Sequence, residues 1–144
     1  MEPVFFRLFN EIGILAQLSR AAFEEHLPHG MLISHFSVLN HLIRVGDGPT
    51  PLKLANAFQV PKTTMTHTLS GLAKAELVEL RPNPADARSK QVWITEAGRN
   101  FREAAIIKVS AEMADLKDQF QLDKVEKILP ELEELRKIMD ARRD

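Results

Sequence analysis

The sequence contains no cysteine among its 144 residues. Without cysteine the chain has no disulfide, no iron–sulfur cluster, no thiolate zinc site and no thiol for catalysis or redox sensing. Long apolar runs are also missing, since stretches such as Ile12–Leu15 are far shorter than the roughly 20 residues of a membrane span. The start, Met1–Pro3, lacks the basic and apolar regions of a signal peptide. We therefore expect a cytoplasmic protein without a membrane partner.

A strong net charge is likewise absent, because the formal charge is −1. The hydrophobic content of 44% and the charged content of 27% are those of an ordinary globular domain. The charge is nevertheless uneven along the chain. Between Arg44 and Thr95 seven basic residues stand against four acidic ones, so both ends are acidic. This basic middle is the part of the chain most suited to a nucleic-acid partner.

Apolar residues spaced three and four apart predict six helices. Thr50-Pro51 and Val60-Pro61 are typical helix starts, because Thr caps free amides and Pro needs no donor in a first turn. Pro130 is expected to kink or restart the last helix. The predicted ranges are 5 to about 27, Ser34–Arg44, Pro51–Phe58, Pro61–Ala75, Glu96–Lys117 and Leu122–Arg142.

The period changes to two in Leu77–Leu80 and Gln91–Ile94, which flank a polar loop containing two prolines. This pattern predicts two short strands joined as a β-hairpin. The fold class is therefore mainly α with a small β-wing (α+β). We predict a winged helix-turn-helix in residues 31–95, preceded by an N-terminal helical region (1–30) and followed by C-terminal helices (96–144).

A winged helix-turn-helix places one helix in the major groove of DNA, and that helix needs short polar side chains near its start. The hairpin loop in turn needs a cation near its tip. Asp86, two residues before Arg88, either braces the guanidinium or forms an incidental ion pair in a solvated turn. The predicted DNA-binding residues are Lys62, Thr63, Thr64, Thr66, His67, Ser70, Arg81, Arg88 and Lys90.

The run 72–98 resembles the MarR family of bacterial transcription regulators. The shared features are Leu77-Val78 entering the wing, Pro84-x-Asp86-x-Arg88 at its tip, and Val92-x-Ile94-Thr95-x-x-Gly98 leading into the next helix. The segment 50–55 is similar to the family's third helix, and the order of elements matches over essentially the whole chain.

This resemblance implies an obligate homodimer, with the N-terminal and C-terminal helices forming the dimerisation region. It also implies a palindromic DNA site, a recognition helix over Pro61–Ala75, and Arg88 entering the minor groove with Asp86 as its support. The apolar residues of the first, fifth and sixth helices favour a dimer independently, because they exceed what a small winged domain covers. A role as a ligand-responsive repressor follows from the same resemblance.

Five departures from the family pattern reduce the positive charge or change the backbone. His67, Gly71, Leu80 and Ala87 stand where family members often have Arg, and Glu76 stands where Gly is frequent. Fewer cations weaken phosphate attraction, so DNA binding is either modest and salt-sensitive or aided by protonation of His67. Gly71 also costs helix stability of roughly 1 kcal/mol relative to Ala. The alternative is a winged-helix protein–protein interaction module with weak or lost DNA binding.

The resemblance further implies a small aromatic or phenolic effector between the winged domain and the dimer helices. Leu15, His35 and Phe36 are the candidate residues for it, and the alternative is that Phe36 belongs to the core while His35 is solvated. The other histidines, His26 and His29 among them, lack the spacing of a metal site, so no metal and no cofactor are expected.

Catalytic motifs are missing from the sequence. It has no Gly-rich phosphate loop, no nucleophile elbow and no His-Glu-x-x-His, and its carboxylates lie mainly on solvated helix faces. We therefore expect a DNA-binding protein and not an enzyme.

Overall fold

The computed structural model describes residues 1–28 and 30–143. His29, one of the histidines considered above, lies outside the described residues. The described part contains seven helices and two strands: α1 (Val4–Glu24), α2 (Ile33–Val45), α3 (Pro51–Phe58), α4 (Lys62–Lys74), β1 (Val78–Pro82), β2 (Lys90–Ile94), α5 (Glu96–Glu112), α6 (Leu116–Gln119) and α7 (Leu122–Ala141). They form two compact units, Met1–Val109 and Ser110–Asp144. The mainly α fold with a small wing is confirmed.

The start of α3 agrees with its sequence signals. The Thr50 hydroxyl oxygen accepts a hydrogen bond from the Lys53 N–H at 3.1 Å, and Pro51 occupies the first turn. Gln59 then takes the left-handed conformation with φ of 53°, which turns the chain sharply before Pro61 and α4. These local signals fix the short turn between α3 and α4.

Near the C-terminus one predicted helix boundary is wrong, and one of the two alternatives at Pro130 is excluded. α5 ends at Glu112 and not at Lys117, because tighter hydrogen bonds such as Leu116 N–H to Met113 O (3.1 Å) replace the α-helical pattern. The restart expected at Pro130 does not occur, since α7 continues through this residue. Pro130 is exposed, so water is able to satisfy the carbonyl that loses its helical donor.

The wing is an antiparallel hairpin whose register runs from Val78 opposite Ile94 to Pro82 opposite Lys90. Its base is attached to the loop between α2 and α3. The Val92 N–H donates to the Pro49 carbonyl and the Val92 carbonyl accepts from the Gly48 N–H, both at 2.9 Å. The Asp47 carboxylate also accepts the Ile94 N–H at 2.7 Å. Because three bonds tie β2 to this loop, the base of the wing is fixed on the helical core.

Two clusters of buried side chains hold the first unit together. The larger joins α2, α3, α4 and the hairpin, and its largest fully buried members are Val38, Leu39, Leu42, Leu54, Leu69, Leu72 and Val92. The smaller consists of Leu27, Phe36 and Ala105, with the Phe23 ring 4.5 Å from the Phe36 ring. The larger cluster carries α4 and the wing on one common core.

The junctions on either side of the wing depend on close backbone packing. Thr95 begins α5: its hydroxyl donates to the Glu76 carbonyl at 2.8 Å and accepts the Gly98 N–H at 2.9 Å. A Cβ on Gly98 would collide with the Leu77 carbonyl. Glu76 itself has φ of 61°, a left-handed conformation that glycine adopts without strain. The frequent Gly of the family pattern thus has a physical reason at this position.

The long helices α1 and α7 contain no buried residue. Both carry large apolar side chains in contact with solvent, and on α1 Phe5, Leu15 and Leu18 are each more than 60% exposed. Helices α1 and α7 therefore each leave an apolar surface uncovered.

In the described part of the chain, no helix is both long and apolar enough to cross a membrane.

Candidate nucleic-acid interface

One face of α4 packs into the core, and the other is exposed to solvent. Met65, Thr68, Leu69 and Leu72 are buried, a spacing that follows the helical repeat. The α4 residues predicted to bind DNA are all exposed: Lys62, Thr63, Thr64, Thr66, His67 and Ser70. The helix thus presents a polar surface without a carboxylate, which suits the edges of bases and phosphates.

A groove of about 520 Å³ lies between the start of α4, the start of α3 and the wing. We call it the α4–wing groove. It brings together four of the predicted DNA-binding residues and Asp86, from two separate parts of the sequence. Its lining consists of Thr50, Pro51, Leu52, Lys62, Thr66, Asn83, Asp86, Arg88, Ser89 and Lys90. Three of these are cations and one is an acid, so the groove carries an excess of positive charge.

Four other predicted residues, Thr63, Thr64, His67 and Ser70, do not line the groove, although they are exposed on the same helix. Conversely, sequence reasoning missed several groove residues. Thr50 has a signal in the sequence, but one that indicates a helix cap. Asn83 and Ser89 close the wing loop, because the Asn83 amide donates to the Ser89 hydroxyl at 2.9 Å. Only the folded loop brings these two side chains together.

Arg88 lies at the tip of the wing, and the Asp86 carboxylate contacts its backbone and the Nε of its side chain. The Asp86 carboxylate accepts the Arg88 backbone N–H at 2.9 Å and meets the Arg88 Nε at 3.4 Å. The Arg88 side chain is nevertheless 93% exposed. This geometry fixes the first part of the side chain while its Nη groups take no part in the contact with Asp86. The contact between Asp86 and Arg88, which both interpretations of the sequence expect, is therefore present in the structure.

Arg81 is engaged within the wing. Its guanidinium lies over the Trp93 ring, 4.2 Å from the ring centre, and its Nη2 is 3.3 Å from the Glu79 carboxylate. Within the described residues, Trp93 Nε1 is buried without a hydrogen-bond partner. The backbone at Gly48 also lies near the Trp93 ring, since a Cβ on Gly48 would be 3.9 Å from Trp93 Cζ2. The cation–π contact between the Arg81 guanidinium and the face of the Trp93 ring stabilises the wing. Glu79 offsets part of the Arg81 charge, as Asp86 does for Arg88, but Arg81 does not line the α4–wing groove.

The three candidate effector residues lie in different surroundings. Phe36 is in the smaller core cluster, as its alternative interpretation expected. His35 is only 8% exposed, so the expectation that it is solvated is wrong. Packing of its ring against Gly71 of α4 removes it from water. Leu15 is 61% exposed on α1 and is not part of the cluster around Phe36.

The other histidines that the structure describes belong to no cluster of metal ligands. Within residues 1–28 and 30–143, no three His, Asp or Glu side chains come together in a group able to hold a metal ion. His41 instead packs against Phe58, with ring centres 5.2 Å apart.

A MarR family model matches residues 29–89, and no curated protein matches the chain. MarR from E. coli in its apo form is 26% identical, with 94% of this chain and 98% of that chain covered and a TM-score of 0.74. A mutant E. coli MarR complexed with operator DNA is 25% identical, covers 93% and 99%, and has a TM-score of 0.69.

A MarR transcriptional regulator from Methanosarcina mazei Go1 is 22% identical, with coverages of 90% and 94% and a TM-score of 0.76. That likeness concerns the fold alone. The helices, the wing and their order agree with these structures, and the matched segment 29–89 contains α2 to α4 and the tip of the wing. Residues 29–89 thus carry the MarR family sequence pattern, and the chain as a whole has the fold of MarR-family transcription regulators.

Proposed function

We propose that the protein is a sequence-specific, double-stranded DNA-binding transcription regulator that binds a palindromic operator as a homodimer and acts as a repressor. The observation that carries this proposal is the α4–wing groove, in which Lys62 and Thr66 of one element face Arg88 and Lys90 of another. A regulator of this kind acts where a bacterial chromosome lies, in the cytoplasm.

In this proposal α4 enters the major groove and the wing tip meets the adjacent minor groove and backbone. The threonines of α4 contact base edges or phosphates, with their methyl groups toward thymine. Lys62 and Lys90 neutralise phosphates, and Arg88 enters the minor groove with its first atoms held by Asp86. The E. coli relative complexed with operator DNA, 25% identical, supports this assignment.

The uncovered apolar residues of α1 and α7 support the homodimer. Side chains such as Phe5, Leu18 and Leu122 are at least 60% exposed in the single chain. Exposed apolar patches of this kind mark association surfaces, and a second copy with the same helices supplies a complementary apolar face. Two winged units would then present two α4 helices to the two halves of a palindrome.

Response to a small aromatic acid completes the proposal. The Phe23 and Phe36 rings already pack together at 4.5 Å, so an aromatic effector would compete for this contact and alter the smaller core cluster. Titration of the protein–DNA complex with benzoate tests this, with cyclohexanecarboxylate as a control of equal charge but no aromatic ring. We expect benzoate to release the DNA; equal effects of the two acids, or none, contradict an aromatic site.

The central test is selection of bound sequences from a random duplex library, followed by a salt titration on the enriched duplex. We expect a palindromic winner and a steep loss of affinity with salt. Lys62→Ala should lower the salt slope by about 2, since each of two protomers loses one phosphate contact worth about 0.9. Lys108→Ala, on the exposed side of α5, is the matched control and should leave the slope unchanged.

The selection also decides between the proposal and an interaction module. No enrichment at low salt, with and without benzoate, would contradict DNA binding and favour a winged-helix module for protein partners. An enriched sequence without a palindrome would preserve DNA binding but contradict the symmetric dimer.

A further inference from the structure

The buried His35 lies directly beneath Gly71 of α4. A Cβ placed on Gly71 would stand 2.9 Å from His35 Nε2 and 3.6 Å from His35 Cδ2. Real Cβ atoms essentially never approach another atom below 3.0 Å, so the ring occupies the space that any other side chain at position 71 needs. The glycine that weakens α4 locally thus allows α4 to lie close to α2.

The His35 ring is also fixed from its other side. The Leu32 N–H donates to His35 Nδ1 at 2.9 Å, which satisfies a free amide at the start of α2. A nitrogen that accepts this bond carries no proton, so the neutral ring carries its proton on Nε2, toward Gly71. The adjacent Ile33 N–H donates to the Glu24 carboxylate of α1 at 3.0 Å. The ring is therefore held between the first turn of α2 and the last turn of α4.

The surroundings favour the uncharged ring. Burial lowers the pKa of His35 below its ordinary value of 6.5, and repulsion from His67 on α4 lowers it further. The acidic group near His35 on the α1 side is Glu24, whose carboxylate accepts the Ile33 N–H of α2. A proton on Nδ1 would also place two donors against each other at Leu32.

We propose that His35 is a positioning residue for DNA recognition: its neutral ring, fixed by the Leu32 amide and seated against Gly71, sets how closely α4 packs on α2 and hence where the exposed face of α4 meets DNA. The inference rests on the proposed function for its DNA part. The contact between His35 and Gly71 is testable without DNA.

A double-mutant cycle tests the contact. Gly71→Ala in the parent forces the His35 ring aside, so we expect a lower Tm. In a His35→Ala background the same change has room, and the better helix former should raise the Tm. If Gly71→Ala raises the Tm in both backgrounds, the ring does not define the seat of α4 and the proposal fails.

DNA affinity, measured below the Tm of every variant on the selected duplex, separates positioning from stability. Gly71→Ala should weaken binding about tenfold, a change that corresponds to about 1.4 kcal/mol. Adding it to His35→Ala should change affinity less than about twofold. Equal affinities of parent and Gly71→Ala overturn the positioning role even if the Tm values are coupled. If the parent itself selects no DNA, the proposed function fails, and the Tm cycle still decides the contact.

The pH profile of unfolding supplies a second readout that avoids DNA. Because the folded-state pKa of His35 is lowered, its contribution to stability is complete above pH 6.5 and is lost as the pH falls toward the lowered value. His35→Gln keeps an acceptor for the Leu32 amide but does not titrate, so it should remove this acid-dependent loss of Tm. His41→Gln, on the same helix, is the control and should retain it. An unchanged profile in His35→Gln contradicts the neutral, buried ring.

Discussion

The winged part of the chain and the two long terminal helices differ in how far their apolar residues are buried. In α2, α3, α4 and the hairpin, leucines such as Leu39, Leu54 and Leu72 are completely buried in one cluster. In α1 and α7 no residue is buried, although both helices are rich in large apolar side chains. The same types of apolar residue are therefore buried in the winged part and exposed on α1 and α7.

The difference shows which part of the fold is complete by itself. The winged part covers its apolar residues with its own elements, so its stability is a property of one chain. For α1 and α7 the free energy of covering apolar surface, roughly 25 cal/mol per Å², is not yet gained in the single chain. We attribute that remaining gain to a second copy, and the following changes test the division.

The largest effect is expected from a charge on α1. Leu18 is 64% exposed in the single chain, and Leu18→Glu would place a carboxylate in the proposed dimer surface. We expect dimers to become monomers in light scattering at micromolar concentration. Affinity for the palindromic duplex should fall about 100-fold or more, since each winged unit then binds its half-site alone.

Leu52→Glu is the control for this change, because Leu52 is also exposed but belongs to α3 of the winged part. Its oligomeric state should equal that of the parent. A Leu18→Glu variant that remains dimeric would show that α1 does not form the association surface.

The next largest effect concerns the winged core, through two leucines two residues apart on α3. Leu54→Ala removes a completely buried side chain, and the free energy of unfolding should fall by about 2–5 kcal/mol. Leu52→Ala, whose side chain is 52% exposed, should change the free energy of unfolding by less than about 0.5 kcal/mol. Denaturant titration of both variants measures the difference, and equal losses would contradict the separation of core and surface on α3.

The wing gives a smaller effect, on DNA binding alone. Arg88→Ala should weaken binding to the selected duplex about tenfold, or about 1.4 kcal/mol, because a minor-groove cation is lost. Asp86→Ala should weaken it only a few-fold, since the carboxylate orients the arginine without contacting DNA. Fluorescence anisotropy measures both affinities, and light scattering should find both variants dimeric. Binding equal to the parent in both variants would make the wing assignment wrong.

The smallest effect is expected at the entrance to the wing. Glu76 has a left-handed backbone, and Glu76→Gly should stabilise the chain by about 1 kcal/mol because glycine takes this conformation without steric cost. Thermal unfolding measures the change. Glu79→Gly, in the extended conformation of β1, is the control and should destabilise. A lower Tm for Glu76→Gly would show that the Glu76 side chain offsets its backbone strain.

Local signals explain why much of the fold follows from the sequence. Thr50-Pro51 and Pro61 begin two helices at or next to the predicted residues, and the alternating strands form the predicted hairpin with shifts of one or two residues. The end of α5 did not follow, and neither did the exclusion of a restart at Pro130. Both depend on the balance between continuing the helix and solvating exposed backbone groups, which differ by little in free energy.

The sequence by itself determined the succession of helices and strands, the exposed polar face of α4, and the pairing of Asp86 with Arg88, because these result from interactions between residues close together in the chain. The tertiary structure decided the rest. It brought Lys62 and Thr66 together with Arg88 and Lys90, more than 20 residues further along the sequence. It also buried His35 against Gly71 and stacked Arg81 on Trp93. Such contacts join distant residues, so their geometry is set by how the elements pack and not by local propensity or periodicity.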